Sequence, residues 1–164
     1  MSTLTIRPYT PEDGRAVTAM LMPVFRAGET YAIDRDIAEA DALAYWTGGG
    51  RAVFVAEDAG DMPLGTFYVV RNQAGGGAHV CNAGFVTAPD AQGRGVARAM
   101  LDRALAEARA LGFAAMQFNF VIETNARAVA LWQRAGFEIV GRLPGAFRHP
   151  DAGAVDALVM FRGL

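Results

Sequence analysis

The sequence predicts a mixed α/β domain, a central sheet of about seven strands flanked by helices, and three observations predict it. Apolar and polar residues alternate with a period of two in stretches such as 114–121. They recur at helical spacing in stretches such as 93–111. The two kinds of segment interleave in the order β-α-α-β-β-β-α-β-α-β-β. At 164 residues the chain fits one domain, 1–164, since domains commonly run ~100–200 residues.

A first strand covers 3–8. The helix over 11–27 opens on Pro11, Glu12 and Asp13: the proline is preorganised for a first turn and the acids face the positive end of the helix dipole. A second helical stretch follows at 36–46. Strands 52–58 (AVFVAED) and 64–71 (LGTFYVVR) flank the turn Gly60-Asp61-Met62-Pro63 and read as a hairpin. Glycine clusters at 48–50 and 75–77 read as turns, and a strand at 79–87 follows. In the helix 93–111, Met100, Leu101, Ala104, Leu105, Ala108 and Leu111 form one stripe, with Arg98, Asp102, Arg103, Glu107 and Arg109 opposite. Gly112 ends it in the left-handed position that a Cβ disfavours. Strand 114–121 sets Met116, Phe118 and Phe120 against Gln117 and Asn119. A helix at 125–135 stops at Gly136. Strands 137–142 and 155–162 close the chain and leave a long loop, 143–154, between them.

Composition narrows the function. With 52% hydrophobic and 20% charged residues the chain is globular and not disordered. A net charge of −2 gives no basic footprint for nucleic acid or an anionic membrane. All 15 Lys+Arg positions are arginine, a bias that a GC-rich bacterial genome accounts for. The single cysteine, Cys81, excludes an intramolecular disulfide and suits a reducing cytosol. The N-terminus lacks the apolar core of a signal peptide, and no run approaches the ~20 residues that span a bilayer, so a cytoplasmic location is expected. Two histidines, His79 and His149, stand too far apart to suggest a metal site. Cys81 and His79 read as structural residues rather than a nucleophile and its base.

The most informative segment is Pro89-Asp90-Ala91-Gln92-Gly93-Arg94-Gly95-Val96-Ala97, between a strand and the strongest helix. Two glycines and an alanine leave backbone amides uncovered at a helix start, where the dipole favours an anion; Arg94 and Arg98 add charge at the rim. A plain glycine-rich turn is the competing reading. Gly-Lys-Ser/Thr is absent, so this is no P-loop, and Arg98 stands where a Rossmann turn needs a small residue.

Gln92-Gly93-Arg94-Gly95-Val96-Ala97 resembles the pyrophosphate-binding signature of the GNAT superfamily of N-acetyltransferases, and Asn125-Ala126-Arg127-Ala128 through Gly136-Phe137 resembles the family's second landmark. The resemblance implies a twisted mixed sheet with splayed fourth and fifth strands, acetyl-CoA as co-substrate, no metal, a small-molecule amine as acceptor and a dimer. It also assigns residues. Phe85 and Thr87 would lie along the pantetheine, Phe85 offering backbone to the thioester. Gln92, Gly93, Arg94, Gly95, Val96, Ala97 and Arg98 would hold the pyrophosphate, and Asn125 and Trp132 would flank the cofactor. Trp132 stands where the family carries an acidic tyrosine. An indole N–H is no proton source at neutral pH, which favours direct transfer with water or substrate supplying the proton.

Three asparagines, Asn82, Asn119 and Asn125, fall on or beside the strands that the resemblance makes neighbours. Asn125 also reads as a helix N-cap, and the others as buried amides bonded to backbone. Together with Gly28-Glu29-Thr30-Tyr31, the segments Cys81-Asn82-Ala83-Gly84-Phe85 and Phe118-Asn119-Phe120 resemble the fungal azetidine-2-carboxylate (proline-analogue) N-acetyltransferases. That branch implies Asn82 and Asn119 as catalytic and substrate-binding residues, with Glu29 and Tyr31 also touching substrate. Phe147-Arg148-His149-Pro150 departs from the branch; the loop holding it either folds over the acceptor or is merely solvated. Acetylation of a peptide N-terminus or an aminoglycoside, and a non-catalytic acyl-CoA-binding module, are the alternatives.

Overall fold

The computed structural model describes residues 4–164, so residue 3 of the expected first strand lies outside the described residues. Seven strands form one sheet in the order β1-β2-β3-β4-β5-β7-β6: β1 Thr5–Pro8, β2 Ala52–Glu57, β3 Pro63–Arg71, β4 Val80–Thr87, β5 Ala115–Ile122, β6 Glu138–His149 and β7 Gly153–Gly163. All neighbours are antiparallel except β4 and β5, which run parallel. The helices are α1 Gly14–Ala27, α2 Glu39–Thr47, α3 Val96–Ala110 and α4 Ala126–Arg134. The mixed α/β fold that the sequence predicts is therefore the one observed. No helix among the described residues is long and apolar enough to cross a membrane.

The core follows the apolar stripes. α1 buries Val17, Leu21 and Phe25; α3 buries Met100, Leu101, Ala104, Leu105 and Ala108. Leu111, the last residue of the expected stripe, is exposed instead, because α3 ends at Ala110 and Gly112 (φ 85°) turns the chain away. Between the layers Phe67 stacks on Phe54 at 4.9 Å and on Phe85 at 5.7 Å. The Trp46 indole in this core is bonded through Thr66. Trp46 Nε1 donates to Thr66 Oγ1 (3.0 Å), which donates to the Phe54 carbonyl (2.9 Å).

At the outer end of the sheet one guanidinium joins three elements. Arg7 on β1 meets both carboxylate oxygens of Asp13 at 2.9 Å and Glu57 of β2 at 3.0 Å. Asp13 also accepts the Thr10 amide at 2.7 Å, which fixes the entry into α1. Hydrogen bonds from Arg7, opposed by burial, hold the Asp13 carboxyl down at about 2.

One expectation fails. The stretch 143–154 is not a loop: β6 continues to His149 and β7 begins at Gly153, with Arg148 opposite Ala154 and His149 opposite Gly153. His149 Nδ1 accepts the amides of Asp151 (3.1 Å) and Ala152 (3.2 Å), so the imidazole caps the hairpin turn. Pro144 and Gly145 are absorbed by a register shift between Leu143 and Phe147, and the Gly145 amide is taken by Asp156 Oδ1 at 2.9 Å.

Candidate active site

The parallel pairing of β4 and β5 holds at Val80–Ala115 and Cys81–Met116 and goes no further. Beyond it the strands separate. Ala88 donates to the Leu64 carbonyl and Asn72 to the Val80 carbonyl, which makes even-numbered residues of β4 the ones bonded to β3. Ala83, Phe85 and Thr87 therefore turn their N–H and C=O groups into the gap. Two of these amides already have side-chain partners. The Ala83 amide donates to Asn82 Oδ1 at 2.8 Å, and the Phe85 amide to the Tyr31 hydroxyl at 2.9 Å. That hydroxyl in turn donates to the Phe85 carbonyl at 2.9 Å.

Tyr31 reaches the gap on the segment after α1. Gly28 (φ 67°) ends that helix, and Arg26 and Arg35 then lock the segment by bonding each other's backbone, with Arg35 Nε donating to the Arg26 carbonyl at 2.8 Å. Burial pushes the Tyr31 hydroxyl well above its ordinary range, so it stays a neutral phenol.

Along the gap runs a cavity of about 880 Å³. Its α3 end is the glycine loop. Gly93 (φ 76°) and Gly95 (φ 80°) are left-handed, with open space where a Cβ would stand. This delays α3 to Val96, three residues after the expected start, and the first helical bond runs from Ala99 to Gly95. The amides ahead of Ala99 have no partner inside the helix and face the cavity at its dipole's positive end. Gln92, Gly93, Gly95, Val96, Ala97 and Arg98 line this end, and Arg98 is shared with Asp102 at 3.1 Å. Arg94 is exposed and outside the lining.

The middle of the cavity is aromatic. Trp132 is buried, with its ring 5.1 Å from Phe85 and 5.0 Å from Phe118. Asn82, Asn119 and Asn125 all line the cavity with Phe85, Thr87 and Tyr31. Asn125 holds the N-cap position of α4, but its side chain makes no cap hydrogen bond. Asn119 is exposed and tied down: its Nδ2 donates to Asn72 Oδ1 at 2.6 Å, and its Oδ1 accepts from Asn72 (3.2 Å) and Gln117 (2.9 Å). Glu29 is exposed and lies off the cavity, as do Arg148 and His149. Cys81 is buried, off the cavity, with its thiol pushed up to about 11 by burial.

Sequence reasoning passes over Tyr45, Tyr68 and Asn72. Tyr68 and Asn72 reach the site only through the β3–β4 register, in which Tyr68 pairs with Gly84, and single-strand patterns carry no trace of it. The ionisable residues among the described lining are Tyr31, Tyr45, Tyr68, Arg98, Arg127 and Arg134. No carboxylate, imidazole, amine or thiol lines it, and no cluster of three metal-binding side chains occurs among the described residues. The arrangement offers an anion cradle, a strand edge that can pair with an amide-bearing arm, and hydrogen-bond donors facing an acceptor, without a strong base.

The sequence pattern of the acetyltransferase (GNAT) family matches residues 16–137, well over half of the chain. A GCN5-related N-acetyltransferase from Kribbella flavida is 40% identical, with 98% of each chain superposed at a TM-score of 0.93. A GNAT-superfamily phosphinothricin acetyltransferase from Sinorhizobium meliloti, solved in complex with AcCoA, is 23% identical. It has a TM-score of 0.86, with 99% of this chain and 89% of that one covered, and shows the same fold. The N-acetyltransferase aca1 of Schizosaccharomyces pombe is 35% identical over 97 residues, 58% of this chain and 46% of that protein. The chain thus spans less than half the length of that curated relative.

Proposed function

The chain belongs to the acetyltransferase (GNAT) family, and from that premise we propose that it transfers the acetyl group of acetyl-CoA directly to the amine of a small, amino-acid-like acceptor of the proline-analogue type. The residues fit the co-substrate. The open glycine loop and the free amides at the start of α3 suit a pyrophosphate, and the edge of β4 beyond Cys81, which pairs with no strand and is held at Phe85 only by the Tyr31 hydroxyl, suits the amides of pantetheine. Acetyl-CoA supplies an activated acyl group; this chain's residues bind, orient and desolvate.

One observation carries the acceptor class. Asn82 Oδ1 accepts the Ala83 amide, which fixes the carboxamide and leaves both of its N–H donors for the cavity. Beside it the described lining has no carboxylate to hold a polycation. A wall of donors without acids suits an amine that carries its own carboxylate and disfavours an aminoglycoside. The azetidine-2-carboxylate resemblance points the same way, and the fungal relative aca1 is an N-acetyltransferase. Asn82→Ala tests this. Loss of a hydrogen bond to a charged partner is worth about 1–3 kcal/mol, so kcat/KM on azetidine-2-carboxylate should fall roughly 5- to 150-fold. Stabilisation by acetyl-CoA should persist. An enzyme that ignores azetidine-2-carboxylate and acetylates a peptide or an aminoglycoside instead removes the acceptor assignment.

A further inference from the structure

We propose that Tyr68 is a catalytic residue whose hydroxyl oxygen accepts a hydrogen bond from the acceptor's amine and aims its lone pair into the β4–β5 gap; the proposal rests on the acetyl-transfer reading above. Tyr68 stands in the middle of β3 directly opposite Gly84. Its ring lies over that glycine: a Cβ there would come within 2.6 Å of Cε1, 2.7 Å of Cζ and 2.9 Å of the hydroxyl oxygen. Gly84 is therefore the vacancy that lets the phenol lie next to Phe85, whose amide points into the gap. Trp46 edge-on at 4.8 Å and the Arg51 guanidinium 4.8 Å from the ring centre fix the ring.

Although only 4% exposed, Tyr68 lines the cavity, where Tyr45 and Arg51 are its polar neighbours. Three neighbouring side-chain oxygens already hold a donor. Asn82 Oδ1 holds the Ala83 amide, Asn119 Oδ1 holds Asn72 and Gln117, and the Tyr31 hydroxyl is bound to both backbone groups of Phe85. Tyr45 is 37% exposed and lies under Arg51 at 4.6 Å. The Tyr68 oxygen is thus a side-chain acceptor on the cavity wall that no backbone amide occupies. Burial raises its proton affinity, so it remains a phenol throughout.

The balance of the step is simple. The amine lone pair forms the N–C bond, the C–S bonding pair leaves with sulfur, and the surplus proton on nitrogen passes through water to the CoA thiolate. Tyr68 keeps its own proton.

Tyr68→Phe removes one oxygen and keeps the ring, so it separates chemistry from packing. Turnover on azetidine-2-carboxylate should fall about 10- to 100-fold, within the usual range for a positioned polar group, while the thermal shift with acetyl-CoA stays at the wild-type value. Gly84→Ala, which must push the ring aside, should lose turnover likewise. If Tyr68→Phe turns over within twofold of wild type, or loses the acetyl-CoA shift along with turnover, the assignment to Tyr68 fails and the acetyl-transfer reading stands. If the wild-type chain acetylates no amine in a broad panel, the acetyl-transfer reading fails and takes this role with it.

Discussion

The two ends of this sheet treat buried polarity in opposite ways. At β1 and β2 each buried carboxylate meets Arg7 at hydrogen-bond distance, and the β1–β2 register runs unbroken over four residue pairs. At the β4–β5 seam the ladder stops after two residue pairs, and the freed backbone is held only by neutral side chains, Tyr31 and Asn82. The first end exchanges solvation for strong, fixed ion pairs and is suited to holding the chain together. The second keeps weak, replaceable partners on groups that a ligand can claim. Stability and function are thus separated along one sheet, and each end can be damaged without the other.

The largest effect is expected at the ionic end. Arg7→Ala leaves two nearly buried carboxylates without a counter-charge and should cost about 3 kcal/mol in urea unfolding, while the increment given by acetyl-CoA is unchanged. The same site sets an acid limit. Asp13 is depressed from 3.8 to about 2 in the folded chain, so its ionised form stabilises the fold above 3.8. That contribution, about 2 kcal/mol, is lost as pH falls from 3.8 through 2. Wild type should therefore exceed Asp13→Asn by that amount at pH 6 and converge with it near pH 2; parallel curves would show that Asp13 is not the group responsible.

At the seam, Gly95→Glu forces a side chain into a left-handed position and sets a carboxylate where a pyrophosphate is to bind. Wild type should gain about 2.7 kcal/mol from acetyl-CoA at 100 times its Kd, and the variant nothing. A variant that keeps the gain would move the anion site elsewhere. The smallest change is expected from Trp132→Phe. The indole packs on Phe85 and Phe118 and has no proton to give, so turnover should stay within about tenfold. A loss beyond about 100-fold with the fold intact would make the indole a participant.

Much of this was legible because it is local. The stripe of α3, the glycine stops at Gly112 and Gly136, and the loop at Gly93 and Gly95 each depend on residues within one or two turns of chain. The β6–β7 hairpin is hidden for the same reason. Pro144-Gly145 is a local turn signal, but the tertiary bond from Gly145 to Asp156 absorbs it as a bulge and lets the strand run on. In the site, Asn82, Asn119 and Asn125 could be named from a family likeness. Tyr68 over Gly84, and Asn72 against Asn119, depend on how separate strands are aligned, so no reading of either strand alone reveals them.

An unlaced sheet carries a hazard of its own. Exposed strand edges are templates on which a second polypeptide can add a strand, and a gap wide enough for a cofactor arm presents two such edges. Tyr31 closes one of them at both the N–H and the C=O of Phe85, and Asn82 folds back over the amide of Ala83. These two side chains imitate the strand that is missing. Each blocks a single residue's backbone and can yield to a small ligand, while a foreign peptide would have to displace both at once. The pair thus leaves fewer free backbone groups to a second polypeptide, on the surface the chain keeps open for chemistry.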